Sequence, residues 1–143
     1  MKKIIIPLLM FVAICSNAQD GIKATVEKAF ETAAKEDKKV VLYFTITGCV
    51  PCKVFEKAVM EKTSVMEKVN KDHILLKISA DYPEGKDLCK KYKVGGFPFY
   101  IEMDEEKKIL NKWVGWRSVD HFINTFLNGT EEQKAKNLKI LGA

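Results

Sequence analysis

The chain has 143 residues, enough for one domain with its own apolar core. Its 47% hydrophobic and 30% charged content exclude a globally disordered protein. A formal charge of +5, two units of which come from Lys2 and Lys3, is too mild and too mixed with acids to argue for nucleic acid.

Residues 1–18 read as a secretory signal peptide, with Lys2-Lys3 as the positive end, Ile4 to Ile14 as the apolar middle and Ser16-Asn17-Ala18 as a small-x-small cleavage site. The apolar middle is too short to cross a bilayer as a stable helix. The alternative is a lipoprotein signal acylated at Cys15. It calls for a small residue before the cysteine, where Ile14 stands, so a periplasmic or secreted protein is the expectation. Cleavage would leave a charge of +3 and three cysteines, Cys49, Cys52 and Cys89. An odd number in an oxidising compartment does not make a full structural disulfide framework.

Ile22, Val26, Ala29, Phe30 and Ala33 form a helical stripe, and Glu36 to Lys39 a polar turn. Val40 to Phe44 is a short β-branched and aromatic run, the mark of a strand covered on both faces. After the turn at Gly48 the period changes to helical, with Val54, Phe55, Ala58 and Val59 on one face to about Met60. Ser64-Val65-Met66-Glu67 fits a capping box for a second short helix ending near Asn70, and His73 to Ser79 reads as the next strand. Asp81 to Gly85 is expected to be loop, Lys86 to Tyr92 helix, and Phe97 to Met103 a strand with proline near its start. Asp104 to Lys107 makes a hairpin turn into a partner strand, Lys108 to Val114. Ser118 caps a final helix with Val119, Phe122, Ile123, Phe126 and Leu127 inward and Gly129 as its stop. Residues 130–143 are expected to be a polar, frayed extension. Strands joined through helices should be parallel and the closing hairpin antiparallel, which gives an α/β fold: a mixed sheet flanked by helices on both faces.

Cys49 and Cys52 stand where a buried strand turns into a helix. Unpaired N–H groups and the helix dipole converge there and favour a thiolate. A Cys-x-x-Cys pair in that setting can attack a disulfide with its first sulfur and release the product with its second. Zinc would need four ligands, and Cys89, His73, His121 and the scattered acids are not at finger spacing, so neither metal nor organic cofactor is expected. Cys89, on the apolar side of its helix, is expected to be a buried, unreactive thiol. Trp113 and Trp116 are expected to pack at the hairpin end.

Cys49-Val50-Pro51-Cys52-Lys53 after a strand, with Val94-Gly95-Gly96-Phe97-Pro98 later, resembles the thioredoxin fold family. The likeness covers roughly Gly21 to Asn128, within a single domain of residues 19–129. Together with Trp113-Val114-Gly115-Trp116, the cysteine segment is most similar to the exported branch, which includes the carboxy-terminal domain of the bacterial membrane disulfide reductase. The resemblance implies Cys49 and Cys52 as a redox-active disulfide, and a cis Pro98 that leaves the backbone of Phe97 to bind a substrate segment. It also implies Val50, Pro51 and Lys77 as support around the pair. Two positions depart from the family: Tyr43 stands where many members carry a buried Asp, and Gly48 replaces the usual Trp. The implied function is an exported thiol–disulfide oxidoreductase, working as a reductant on protein thiols and disulfides. It would be a monomer, supplied with electrons by a membrane donor. An oxidant or isomerase, or a non-enzymatic binding module using Cys49–Cys52 only as a clip, are the alternatives.

Overall fold

The computed structural model describes residues 21–142. The signal-peptide reading of residues 1–18, and the Cys15 alternative, lie outside them. Helix α1 (Ile22–Glu36) buries Val26, Ala29, Phe30 and Ala33 and ends where Asp37 turns left-handed at φ 53°. Strand β1 (Lys39–Thr45) then runs through the centre of the molecule. Its side chains alternate between two cores: Val40, Leu42 and Phe44 meet α1 on one face, while Val41 and Tyr43 point to the other. A strand buried on both sides has no polar face to show, which is why its sequence is apolar throughout.

Helix α2 (Val50–Phe55) widens into a π-helical turn (Glu56–Met60), closed by the bond from the Glu61 N–H to the Glu56 carbonyl at 2.9 Å. Helix α3 (Thr63–Asp72) and strand β2 (His73–Ser79) follow, then α4 (Pro83–Lys91), the hairpin β3 (Phe99–Met103) and β4 (Ile109–Val114), a π-helical segment (His121–Leu127), and α5 (Glu131–Leu141). The sheet order is β2-β1-β3-β4. Helices α1 and α4 cover one face; α2, α3 and the His121–Leu127 segment cover the other.

Five expectations change. Helix α3 starts at Thr63 with no side-chain cap, so Ser64 lies inside the first turn and its capping box does not form. Helix α4 begins at Pro83, three residues before the expected start: proline at the first helical position gives up no hydrogen bond and brings its φ ready-made. Strand β3 starts at Phe99 rather than Phe97, leaving Pro98 outside the ladder. It runs antiparallel to β1, although a helix joins it to β2. The chain leaves the end of β2 through α4, and residues 92–98 bring it back to that same end of the sheet, so the crossover that would make β3 parallel is not completed. Finally, residues 130–142 are polar but not frayed. Thr130 and Gln133 form a reciprocal capping box, and α5 packs along β4.

Candidate active site

The turn after β1 is possible because Gly48 takes φ +82°, which a side chain would oppose. It delivers Cys49 as the N-cap of α2 in an extended conformation. Val50 and Pro51 fill the first turn, where a missing N–H costs nothing. Cys49 and Cys52 are joined by a disulfide with their Cα atoms 5.3 Å apart, and the Cys52 N–H donates to Cys49 Sγ at 3.2 Å. The two sulfurs are unequal in access: Cys49 is half-buried, whereas Cys52 is only 1% exposed. Val50, between them, stands out at 69% exposure.

The Phe97–Pro98 peptide is cis. Phe44 pairs with Phe99, so the register carried one step further sets Pro98 against Thr45, at the end of β1 from which the cysteine turn departs. Pro98 is held from behind by the Gly115 N–H, which donates to its carbonyl at 2.8 Å. Gly115 reaches that position with φ +86°. The next residue, Trp116, packs edge-on against Phe55 at 5.4 Å, and Phe97 is wedged between the two cores.

Beneath the pair the structure joins Tyr43 and Lys77, both named from the sequence, through Glu56, which the sequence did not single out. The Tyr43 hydroxyl donates to Glu56 Oε1 at 3.0 Å and lies 3.4 Å from the Cys52 carbonyl oxygen. Lys77, on β2, donates to Glu56 Oε2 at 2.7 Å. Burial, together with the Glu56 carboxylate, holds the Tyr43 phenol far above its ordinary range, so it acts here as a donor. Glu56 is partly exposed and lines one recess with Cys49, Cys52 and Lys77. A signal for it existed: Glu56 follows Cys52 by four residues, one helical turn, and so falls on the same side of α2.

Among the other candidates, Cys89 is a half-buried free thiol whose pKa burial pushes up. His73 is buried against Glu102, and the His121 ring packs tilted against Trp113 with centroids 4.5 Å apart; neither joins the cysteines. Trp113 also lies under Arg117, which fits packing at the hairpin end. Among the described residues no cluster of His, Cys, Asp and Glu could hold a metal ion.

A family model described as thioredoxin-like matches residues 21–104. The chain is 27% identical over 128 residues to protein disulfide-isomerase 1 of Dictyostelium discoideum, covering 90% of this chain and 34% of that protein. It is 34% identical over 76 residues to the thiol:disulfide interchange protein DsbD of Pseudomonas sp. (strain JR1 / K1), covering 52% of this chain and 13% of that protein. The chain thus spans about a third of the first relative's length and about an eighth of the second's. Among solved structures, the oxidised C-terminal domain of Neisseria meningitidis DsbD superposes with a TM-score of 0.60 at 25% identity, covering 76% of this chain and 96% of that one. A thioredoxin from Thermus thermophilus shares the fold with a TM-score of 0.59 at 22% identity, covering 68% of this chain and 77% of that one.

Proposed function

The chain belongs to the thioredoxin-like family, and from that premise we propose that it is an exported thiol–disulfide oxidoreductase that reduces disulfides in other proteins. The observation that carries the reading is the unequal pair. Cys49 sits at the helix mouth under a backbone N–H, and Cys52 is closed off behind it. In the reduced protein that N–H and the helix terminus favour the Cys49 thiolate, the form that attacks.

Cys49 Sγ bonds to one sulfur of the substrate disulfide and expels the other as a thiolate. Cys52 then attacks Cys49 Sγ, the substrate's remaining sulfur departs as a thiolate, and the intramolecular disulfide seen here is the product. The Cys52 proton must leave before that second attack. With tyrosine in place of the family's Asp, the recess offers two carboxylates: Asp81 is tied to Thr47 and Ser79, and Glu56, four residues after Cys52 and oriented by Tyr43 and Lys77, is the one assigned the proton. Substrate polypeptide would lie beside the cis Pro98 and pair with the backbone of Phe97, which is outside the β3 ladder, the Pro98 carbonyl being taken by Gly115. A membrane donor would regenerate the dithiol.

In an insulin reduction assay, Cys49→Ala should abolish activity, and Cys52→Ala should accumulate a covalent adduct with the substrate. Wild-type turnover by Cys49→Ala would defeat the reading. The isomerase named among the relatives motivates a second reading, separated from the first by whether the protein reactivates a scrambled substrate and whether the pair is found oxidised or reduced in the cell.

A further inference from the structure

Thiol–disulfide exchange is an in-line displacement, with attacking, central and departing sulfurs near one line. A protein disulfide therefore brings two chain segments to Cys49, one that stays bonded and one that leaves. The Phe97–Pro98 segment lies on the β3 side of β1. On the opposite, β2 side is a recess of about 500 Å³ that Cys49 and Cys52 both line. A segment bound along Pro98 does not fill it.

The walls of this recess are fixed. Asp81 Oδ2 accepts from the Thr47 N–H at 2.9 Å, the Thr47 hydroxyl at 2.8 Å and the Ser79 hydroxyl at 2.8 Å, tying the end of β2 to the cysteine turn. These three bonds fill the lone pairs of Asp81 Oδ2 and turn it toward the cysteine turn without cancelling its charge, whereas Glu56 is paired with Lys77 and accepts from Tyr43. Lys53, in the same lining and next to Cys52 in sequence, has no ion-pair partner among the described residues. Of the charged groups in this lining, Lys53 is the one whose side chain has neither an ion pair nor a hydrogen bond among the described residues, and its backbone N–H donates to the Cys49 carbonyl at 3.2 Å, one helical turn from the attacking cysteine.

We propose that this recess is a subsite for the departing segment of a polypeptide disulfide, and that Lys53 selects segments carrying an acidic side chain next to the departing cysteine. The proposal rests on the exchange reading above and names its substrate class. In the step concerned, the Cys49 thiolate forms the new S–S bond, the substrate S–S bond breaks, and its electron pair leaves on the departing sulfur. Lys53 stabilises both that sulfur and the neighbouring carboxylate.

The test uses reduced protein and three peptide disulfides that share one target peptide and differ only in the departing dipeptide: Cys-Glu, Cys-Gln or Cys-Lys amide. Rates are normalised to dithiothreitol, which removes differences in intrinsic leaving ability. The mass of the adduct trapped by Cys52→Ala reports which half remains on Cys49. The wild type should reduce the Cys-Glu disulfide about threefold faster than the Cys-Lys disulfide at low salt, the scale of an exposed ion pair. Lys53→Glu should erase or invert that ratio; a general change in Cys49 reactivity cancels in it. Equal rates for all three disulfides, a ratio indifferent to Lys53→Glu, or adducts retaining the dipeptide would overturn the subsite while leaving exchange intact. Reduction of none of them would overturn the exchange reading as well.

Discussion

Tyr43 replaces a group that can take a proton with one that, as placed here, can only donate. Its phenol is held far above the ordinary range, chiefly by burial, and the proposed mechanism therefore gives acid–base work beneath the cysteines to Glu56. Glu56→Gln keeps the shape and removes the base. It should prolong the mixed disulfide at neutral pH by about a hundredfold, the lower end of what a positioned base contributes. Tyr43→Phe, which loses only orientation, should slow resolution far less and cost about 1 kcal/mol of stability for its hydrogen bond. Single-turnover decay of the adduct, followed by mass, ranks the two; a Glu56→Gln variant that resolves at the wild-type rate removes Glu56 from the mechanism. The thiols differ as well. Burial raises the Cys89 pKa, so iodoacetamide at pH 7 should label Cys49 in the reduced protein well before Cys89. Cysteines three apart at a strand–helix turn are legible in sequence because everything that matters about them is local. The place of Glu56 one turn after Cys52 is legible in the same way, but its role is not, because its partners arrive from β1 and β2, and only the folded sheet brings Tyr43 beside Lys77.

Helix α4 shows how elements place the site, and why their starts are harder to read than their cores. Gly85 packs so closely on the end of β2 that a Cβ there would collide with the Ser79 carbonyl oxygen. Helix propensity alone would make Gly85→Ala stabilising by up to ~1 kcal/mol. A clash with backbone that cannot swing aside costs about 1–3 kcal/mol, so the clash wins. The substitution should lower the urea midpoint without changing the slope, and should slow exchange by disturbing Ser79 and the Asp81 tie beside the pair. An unchanged or raised midpoint would mean that α4 can slide. The turn residues Asp81 to Gly85 suggested a loop because Pro and Gly more often interrupt helices than serve them. Here Pro83 starts the helix and Gly85 permits the close approach. The direction of β3 was illegible for a related reason: a helical connection predicts a parallel neighbour only when the chain crosses the whole sheet.

The far end of the molecule is held by charge inside the fold. Glu102, on the central strand β3, is fully buried. It accepts from Lys134 of α5 at 2.7 and 3.0 Å and from His73 Nε2 at 3.0 Å, with Lys39 at 3.5 Å. Lys134 also donates to the Leu127 carbonyl, and Lys112 reaches the Gly142 carbonyl, so α5 is pinned at both ends. This explains why residues 130–143 read from the sequence as a polar, frayed extension. The one fully buried side chain of α5 is a lysine, so the helix carries no apolar stripe, and its Thr130–Gln133 capping box was the readable sign of order. Burial works to raise the Glu102 pKa, but hydrogen bonds from His73 and Lys134 and the nearby cations outweigh it and hold the carboxyl below its ordinary range. A carboxyl depressed in the folded state contributes stability that is complete above its unfolded pKa, about 4.3, and is lost as pH falls through the folded value. Lys134→Met should therefore cost about 3–5 kcal/mol at pH 7, the scale of breaking a buried pair from one side. It should also lose less stability than the wild type on acidification, because protonation then relieves a buried charge instead of breaking a pair. The Glu102→Gln/Lys134→Met double variant should be more stable than Lys134→Met alone, since no carboxylate is left without its counter-charge. Urea denaturation at pH 7 and pH 4 reads all three; a double variant no better than the single one would show that Lys134 holds α5 through packing and the Leu127 carbonyl rather than through Glu102.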